Sequence, residues 1–197
     1  MTTAVAPDYP GTLILLGSMY LSSPAKETIE RWIAAAGDPT MAAAPLRDAL
    51  QALDTGNVQA VEDLQTEFTR LLVGPAKLPS PPWESVYTSE HRQMMQEAHG
   101  AVKALHAEAG MNIDDSRVMP DHIGAELLFL AALLDRLGDE NDEQRQRTLD
   151  IADRLLDEHL NRWVGPFTND LEKASRFPIY KALAGSTRDV LAALQEE

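Results

Sequence analysis

Gly74-Pro75-Ala76-Lys77-Leu78-Pro79-Ser80-Pro81-Pro82-Trp83-Glu84-Ser85-Val86-Tyr87 interrupts a sequence that otherwise reads as helix after helix. Its four prolines forbid a helix, because each lacks an amide hydrogen and restricts the residue before it. Yet the stretch ends in Trp83, Val86 and Tyr87, which are costly to leave in water. The residues alone leave two readings open. The stiffened segment presents two aromatics and a carboxylate to a partner, or it is a connector pinned to the core by Trp83.

Upstream, Pro10 opens a helix that runs to about Leu21, with Ser22-Ser23-Pro24 breaking it. A second covers Lys26 to Ala36 and stops at Gly37-Asp38-Pro39, and a third spans about Ala43 to Leu53. Val58, Val61, Leu64, Phe68, Leu71 and Leu72 then recur at helical spacing up to Gly74. Downstream, the pattern predicts a helix from Ser89 to about Glu108 and a polar connector over Gly110 to Met119. Pro120 sits where a helix would start, and the helix it opens, through Leu137, is apolar almost all round, as central buried helices are. Asn141 and Gln144 have the spacing of a capping box for a helix running to about Trp163, with Gly165-Pro166 expected to break it. Short helices follow over Thr168 to Ser175 and Ile179 to Leu194. The sequence thus predicts an all-α, single-domain bundle over residues 1–197, with nine or ten helices and a proline-rich loop near residues 74–87.

A chain of 197 residues can bury a substantial core. Its formal net charge of −14 argues against nucleic acid or an anionic membrane as a main partner, since both repel it. The absence of cysteine excludes disulfides, thiolate metal sites and cysteine nucleophiles. Leu13–Leu16 and Leu127–Leu134 fall short of the roughly 20 apolar residues of a membrane span. The N-terminus lacks a signal-peptide pattern, so a water-soluble, cytoplasmic protein is expected.

Catalytic constellations are scarce. There is no phosphate loop, dinucleotide fingerprint or nucleophile elbow. Among the five histidines, His99 and His106 share a helix face but stand about 10 Å apart along the axis, too far for one ion. Neither a catalytic nor a metal site is expected. Asp121, His122 and Glu126 are more suggestive. His122 and Glu126 are four apart, so their side chains can meet, and Asp121 falls in the first turn, where the helix dipole favours a carboxylate. On the residues alone, capping plus an intrahelical pair is the favoured reading, ahead of a binding role.

Three motifs in order carry a resemblance. Glu67-Phe68-x-x-Leu71-Leu72-x-Gly74-Pro75, then Pro81-Pro82-Trp83-Glu84-Ser85-Val86-Tyr87, then Pro120-Asp121-His122-Ile123-Gly124-x-Glu126-Leu127 resemble the TorD/DmsD/NarJ family, the system-specific chaperones of molybdoenzymes. The likeness extends to His159-x-x-x-Trp163 and Phe177-Pro178-x-Tyr180. It implies an all-helical cytoplasmic chaperone, not an enzyme, that binds the twin-arginine leader or the apo form of a molybdenum-cofactor oxidoreductase. Such a protein delays export until the cofactor is inserted. No cofactor is implied as a permanent ligand; GTP and the client's molybdenum cofactor stay open, as does monomer against homodimer.

The resemblance places client contacts at Phe68, Leu71, Leu72, Pro81, Pro82, Trp83, Glu84, Ser85, Tyr87, Asp121, His122 and Glu126. Leu72 departs from the family's usual phenylalanine, and Val118-Met119 replace an acidic residue that often precedes Pro120. The chemistry is consistent: two guanidinium groups followed by an apolar stretch need carboxylates beside a hydrophobic groove. Charge-assisted hydrogen bonds contribute about 1.5–3 kcal/mol each, and micromolar binding needs roughly 8 kcal/mol in all. Two alternatives stand beside this reading: a NarJ-type chaperone acting on the apoenzyme body without leader recognition, and a helical guanine-nucleotide-binding protein.

Overall fold

Helix α7, Ile123–Arg136, is the axis of the fold, as its nearly uniform apolarity predicts. In the computed structural model, which describes residues 7–75 and 77–196, it packs most extensively against α1, Tyr9–Leu21. The two helices touch backbone to backbone. A Cβ on Gly124 would lie 2.8 Å from the carbonyl oxygen of Gly17, and one on Gly17 would lie 2.9 Å from that of Gly124. Only two glycines permit so close a crossing.

The described residues form ten α-helices and no strand. After α1 come α2, Lys26–Ala36, α3, Ala44–Gln51, and α4, Val58–Phe68. A π-helical turn, Thr69–Val73, extends α4 to Gly74, whose φ of 99° turns the chain into the proline-rich strap. Ala76 of that strap lies outside the described residues. The remaining helices are α5, Glu84–Thr88; α6, Glu97–Glu108; α8, Asp142–Arg154; α9, Asn161–Ala174; and α10, Pro178–Leu194. A second π turn, Leu155–Leu160, joins α8 to α9 without a break. The Asn141–Gln144 capping box forms as expected.

Four local expectations are corrected. The helix expected from Ser89 starts only at Glu97. Residues 89–96 instead form an irregular loop with Arg92 and Met95 at positive φ, tied back by Gln96 N donating to Ser85 Oγ at 3.3 Å. The strap is not helix-free to its end, since Glu84–Thr88 make one short helix once the prolines stop. Pro120 does not open α7. The helix starts three residues later, with His122 as N-cap: its Nδ1 accepts from Gly124 N at 3.0 Å. Pro166 lies inside α9 rather than breaking it. Its missing N–H deprives the carbonyl of Arg162, an exposed residue, of its usual helical donor. Burial of Trp163, Val164, Phe167 and Leu171 on the opposite face offsets the roughly 3 kcal/mol penalty of an interior proline.

The core gathers around an aromatic chain. Tyr20 packs on Phe167 at 5.6 Å, Phe167 on Trp163 at 5.3 Å, and Trp163 on half-buried Tyr87 at 5.6 Å. This chain runs from the centre of the bundle to the strap. Glu67 pins another joint. It accepts Nε and Nη2 of Arg70, each at 2.7 Å, and the backbone N of Arg176 at 2.8 Å, while Arg70 Nη2 also donates to Ala174 O. The turn between α9 and α10 is thereby fastened to α4, and Tyr180 seconds it by donating to Leu64 O at 2.9 Å. No described helix is long and apolar enough to cross a membrane.

Candidate functional site

The two motifs flanking Trp83 and Asp121, distant in sequence, are clipped together. Glu84 N donates to Asp121 O, and Ile123 N donates to Pro82 O, both at 2.9 Å. These two bonds make an isolated antiparallel bridge between Trp83 and His122. Pro82 supplies the acceptor, the one backbone hydrogen-bonding role a proline retains. Asp121 completes the clip: its Oδ2 accepts Ser85 N at 3.1 Å and the Ser85 hydroxyl. On its other side, His99 Nδ1 from α6 stands 3.4 Å from Asp121 Oδ1. The Trp83 and His122 rings meet edge to face at 6.0 Å.

A second set of contacts lies deeper. His159, on the π turn before α9, meets Glu84 Oε2 through Nδ1 at 2.8 Å. Trp163 Nε1 donates to Glu126 Oε2 at 3.2 Å. The His159-x-x-x-Trp163 spacing thus sets two donors on one face, each gripping one buried carboxyl group. Burial, reinforced by the charge of Glu84, holds the Glu126 carboxyl well above the usual carboxylate range. Burial pushes the His122 imidazole down to about 4, against the opposing pull of Asp121. His122 is therefore neutral, as its Nδ1 acceptor role requires.

The expected contact residues fall into three groups. Phe68, Leu71 and Leu72 are core residues and do not reach a groove. Glu84, Ser85, Asp121, His122 and Glu126 are buried and committed to the clip and its inner contacts; Pro82 is buried with them. His122 and Glu126 do not pair with each other: the first caps α7 and the second faces Trp163. Asp121 precedes the first turn of α7 rather than lying in it. Pro81, Trp83 and Tyr87 remain partly exposed, with Tyr87 held by donation to Asp170 Oδ2 at 3.2 Å and covered by Arg92, 5.1 Å above its ring.

Two cavities adjoin at the strap. One, of about 730 Å³, has an apolar wall of Val73, Leu78, Pro81, Trp83, Val86 and Met94. The other, of about 470 Å³, is acidic, with Glu84, Glu90, Glu97 and Glu158 on its wall beside His159 and Arg162. Glu90 lines both. Glu90, Glu97 and Glu158 escaped sequence reasoning, because isolated surface glutamates on three elements carry no pattern. His159 and Trp163 were visible as a pair, but their partners were not.

Among the described residues, no group of three or more His, Cys, Asp and Glu side chains is arranged to hold a metal ion.

Comparison with known proteins agrees with this architecture. A solved structure from Archaeoglobus fulgidus, described as a redox enzyme maturation protein, superposes with a TM-score of 0.62 over 94% of this chain and 93% of its own, at 24% identity. That likeness shows the fold. The Tat proofreading chaperone DmsD of Salmonella typhimurium is 30% identical over 194 residues, 96% of this chain and 90% of its own. The chaperone protein YcdY of Escherichia coli is 30% identical over 96 residues, 49% of this chain and 47% of its own. The sequence pattern of the nitrate reductase delta subunit family matches residues 35–169, a span that contains the strap, the clip and the His159–Trp163 pair. The chain belongs to the nitrate reductase delta subunit family, within the NarJ/TorD/DmsD group of redox enzyme maturation chaperones.

Proposed function

We propose that this protein is a cytoplasmic chaperone of a molybdenum-cofactor oxidoreductase and docks its client's twin-arginine leader across the two adjoining cavities. The guanidinium groups enter the acidic cavity, and the apolar stretch lies along Trp83, Val86 and Leu78. The observation that carries this reading is Glu90, which joins an acidic cavity to an apolar groove within the reach of one short peptide. The similarity to a Tat proofreading chaperone supports it. The clip residues then act indirectly: Asp121, Ser85 and Pro82 hold the strap so that Trp83 and Pro81 keep their place before the peptide arrives. Such preorganisation lowers the ordering cost of binding.

Calorimetric titration with the client's leader peptide tests this. Affinity should be micromolar or better at low salt and weaken at high salt, because exposed charges are screened. Replacing both arginines by lysine should weaken it about tenfold or more, since lysine keeps the charge but loses the planar fork. Glu90→Gln should weaken the arginine peptide more than the lysine peptide. Equal affinity across salt, peptide and protein variants would remove arginine recognition and leave a chaperone that acts on the apoenzyme body.

A further inference from the structure

The wall of the acidic cavity reaches down to buried ionisable groups. Glu84 and His159 line it, yet they are only 2% and 6% exposed. Glu84 neighbours Glu126, which is wholly buried and whose Oε1 has no hydrogen-bond partner. Among the described residues, no lysine or arginine forms a salt bridge with either carboxyl group; His159 is the one basic side chain in contact. The other charged groups near the cluster are mostly acidic, with Arg162 the one permanent cation among the described residues of the cavity wall. Asp121 and neutral His122 stand before α7, with His99 of α6 beside Asp121. Glu158 and Arg162 flank His159 on the cavity wall, and Glu90 and Glu97 complete it. Two adjacent buried carboxyl groups cannot both ionise without a nearby cation. Within the cluster of Glu84, Glu126 and His159, the wholly buried Glu126, unpartnered at Oε1, therefore holds its proton while the cavity is empty.

We propose that docking of an arginine-bearing peptide in the acidic cavity expels a proton from the Glu84–Glu126–His159 cluster, so that falling pH favours release of the client. This rests on the docking reading above. A guanidinium beside Glu84 supplies the directly paired cation that Arg162, which makes no salt bridge to either carboxyl group, does not. It favours the ionised carboxyl groups, and the proton leaves to solvent as the peptide enters. The burial and neighbouring charge that raise the Glu126 carboxyl are the sources of that proton's retention. Linkage is reciprocal: if binding expels protons, protons weaken binding, by up to about tenfold per pH unit for one proton.

The experiment is calorimetry of the same leader peptide at one pH in phosphate and in Tris, whose ionisation enthalpies differ widely. The expected result is a binding enthalpy that differs between buffers by up to one proton's worth of buffer ionisation. It should be accompanied by a dissociation constant that rises as pH falls. Glu126→Gln, which keeps an acceptor for Trp163, should bind the peptide with the buffer difference removed. Should Glu126→Gln fail to fold, His159→Gln takes its place and should reduce the difference. Equal enthalpies in the two buffers with wild-type binding intact would overturn the proton coupling and leave docking standing. A buffer difference that persists unchanged in the variants would also overturn it, by placing the proton elsewhere. No binding heat and no tryptophan response in either buffer would remove the docking reading and this inference together.

Discussion

The first turn of α7 faces two very different joints. Toward α1, Gly124 and Gly17 bring two backbones into contact, and Leu21 and Leu128 close the space around them. Toward the strap, the same turn is held by Asp121, His122 and the carboxyl groups behind them. Gly124 belongs to both: its Cα meets α1, and its N–H donates to His122. The apolar joint depends on shape and carries no titratable group. The polar joint depends on hydrogen bonds to ionisable side chains, so its strength varies with protonation and with what occupies the adjoining cavity. The fold thus fastens its proline-rich strap with a contact that can respond to conditions, while the contact beneath stays fixed.

The largest expected effect breaks the apolar joint. In Gly124→Val the new Cβ would fall 2.5 Å from Leu21 Cγ and 2.8 Å from a backbone oxygen, so the helices must separate. Overpacking of this kind costs about 3 kcal/mol or more. A thermal melt should show a loss of roughly 10 °C at every pH, because no charge is involved. A melting temperature within a degree of wild type would show that the crossing has slack.

The polar joint should show its character on acidification. The folded pKa of His122 lies near 4, below the 6.5 of a free imidazole, so the unfolded chain takes up the proton first as pH falls. Its contribution is fully present above pH 6.5, is lost between 6.5 and 4, and is constant below that. The loss amounts to up to about 3 kcal/mol. Glu126 acts in the opposite sense. Its raised folded pKa makes stability fall as pH climbs above its ordinary 4.5. Denaturant unfolding across pH should therefore give a maximum in the weakly acidic range. His122→Asn keeps a capping acceptor without the titration and should flatten the acid limb. An unchanged acid limb would exonerate His122.

Asp121→Ala tests whether clip and groove are one unit. It orphans Ser85 N in a buried place, which costs about 1–3 kcal/mol. The strap should loosen with it, so stability and peptide affinity should fall together. Normal affinity in a destabilised protein would separate the clip from the site.

The smallest effect on stability is expected at the outer edge. Trp83 is half-buried, so Trp83→Ala should cost less stability than the roughly 3–5 kcal/mol of a fully buried ring. Peptide affinity should fall about tenfold, as for a central aromatic anchor. The fluorescence response to peptide should lose its Trp83 part, leaving at most the smaller change of buried Trp163, which bonds Glu126; Trp32 is buried away from the strap. A full response without Trp83 would move the groove elsewhere.

Sequence by itself determined the parts ruled by local chemistry. The period of apolar residues gave α1, α2, α4 and α7 within a few residues, Gly74 marked the end of the turn extending α4, and the Asn141 box marked the start of α8, where side chain and backbone bond to near neighbours. The motif order pointed to the family that the comparisons then showed. Tertiary structure decided the rest. Pro166 stays in a helix because packing on one face outweighs a local penalty, and residues 89–96 leave the helix where Gln96 is drawn back to Ser85. Above all, only the fold could show that Glu84, Asp121 and Glu126 are buried. Their partners, His159, Ser85 and Trp163, lie 75, 36 and 37 residues away, and no local pattern records a hydrogen bond closed over such distances.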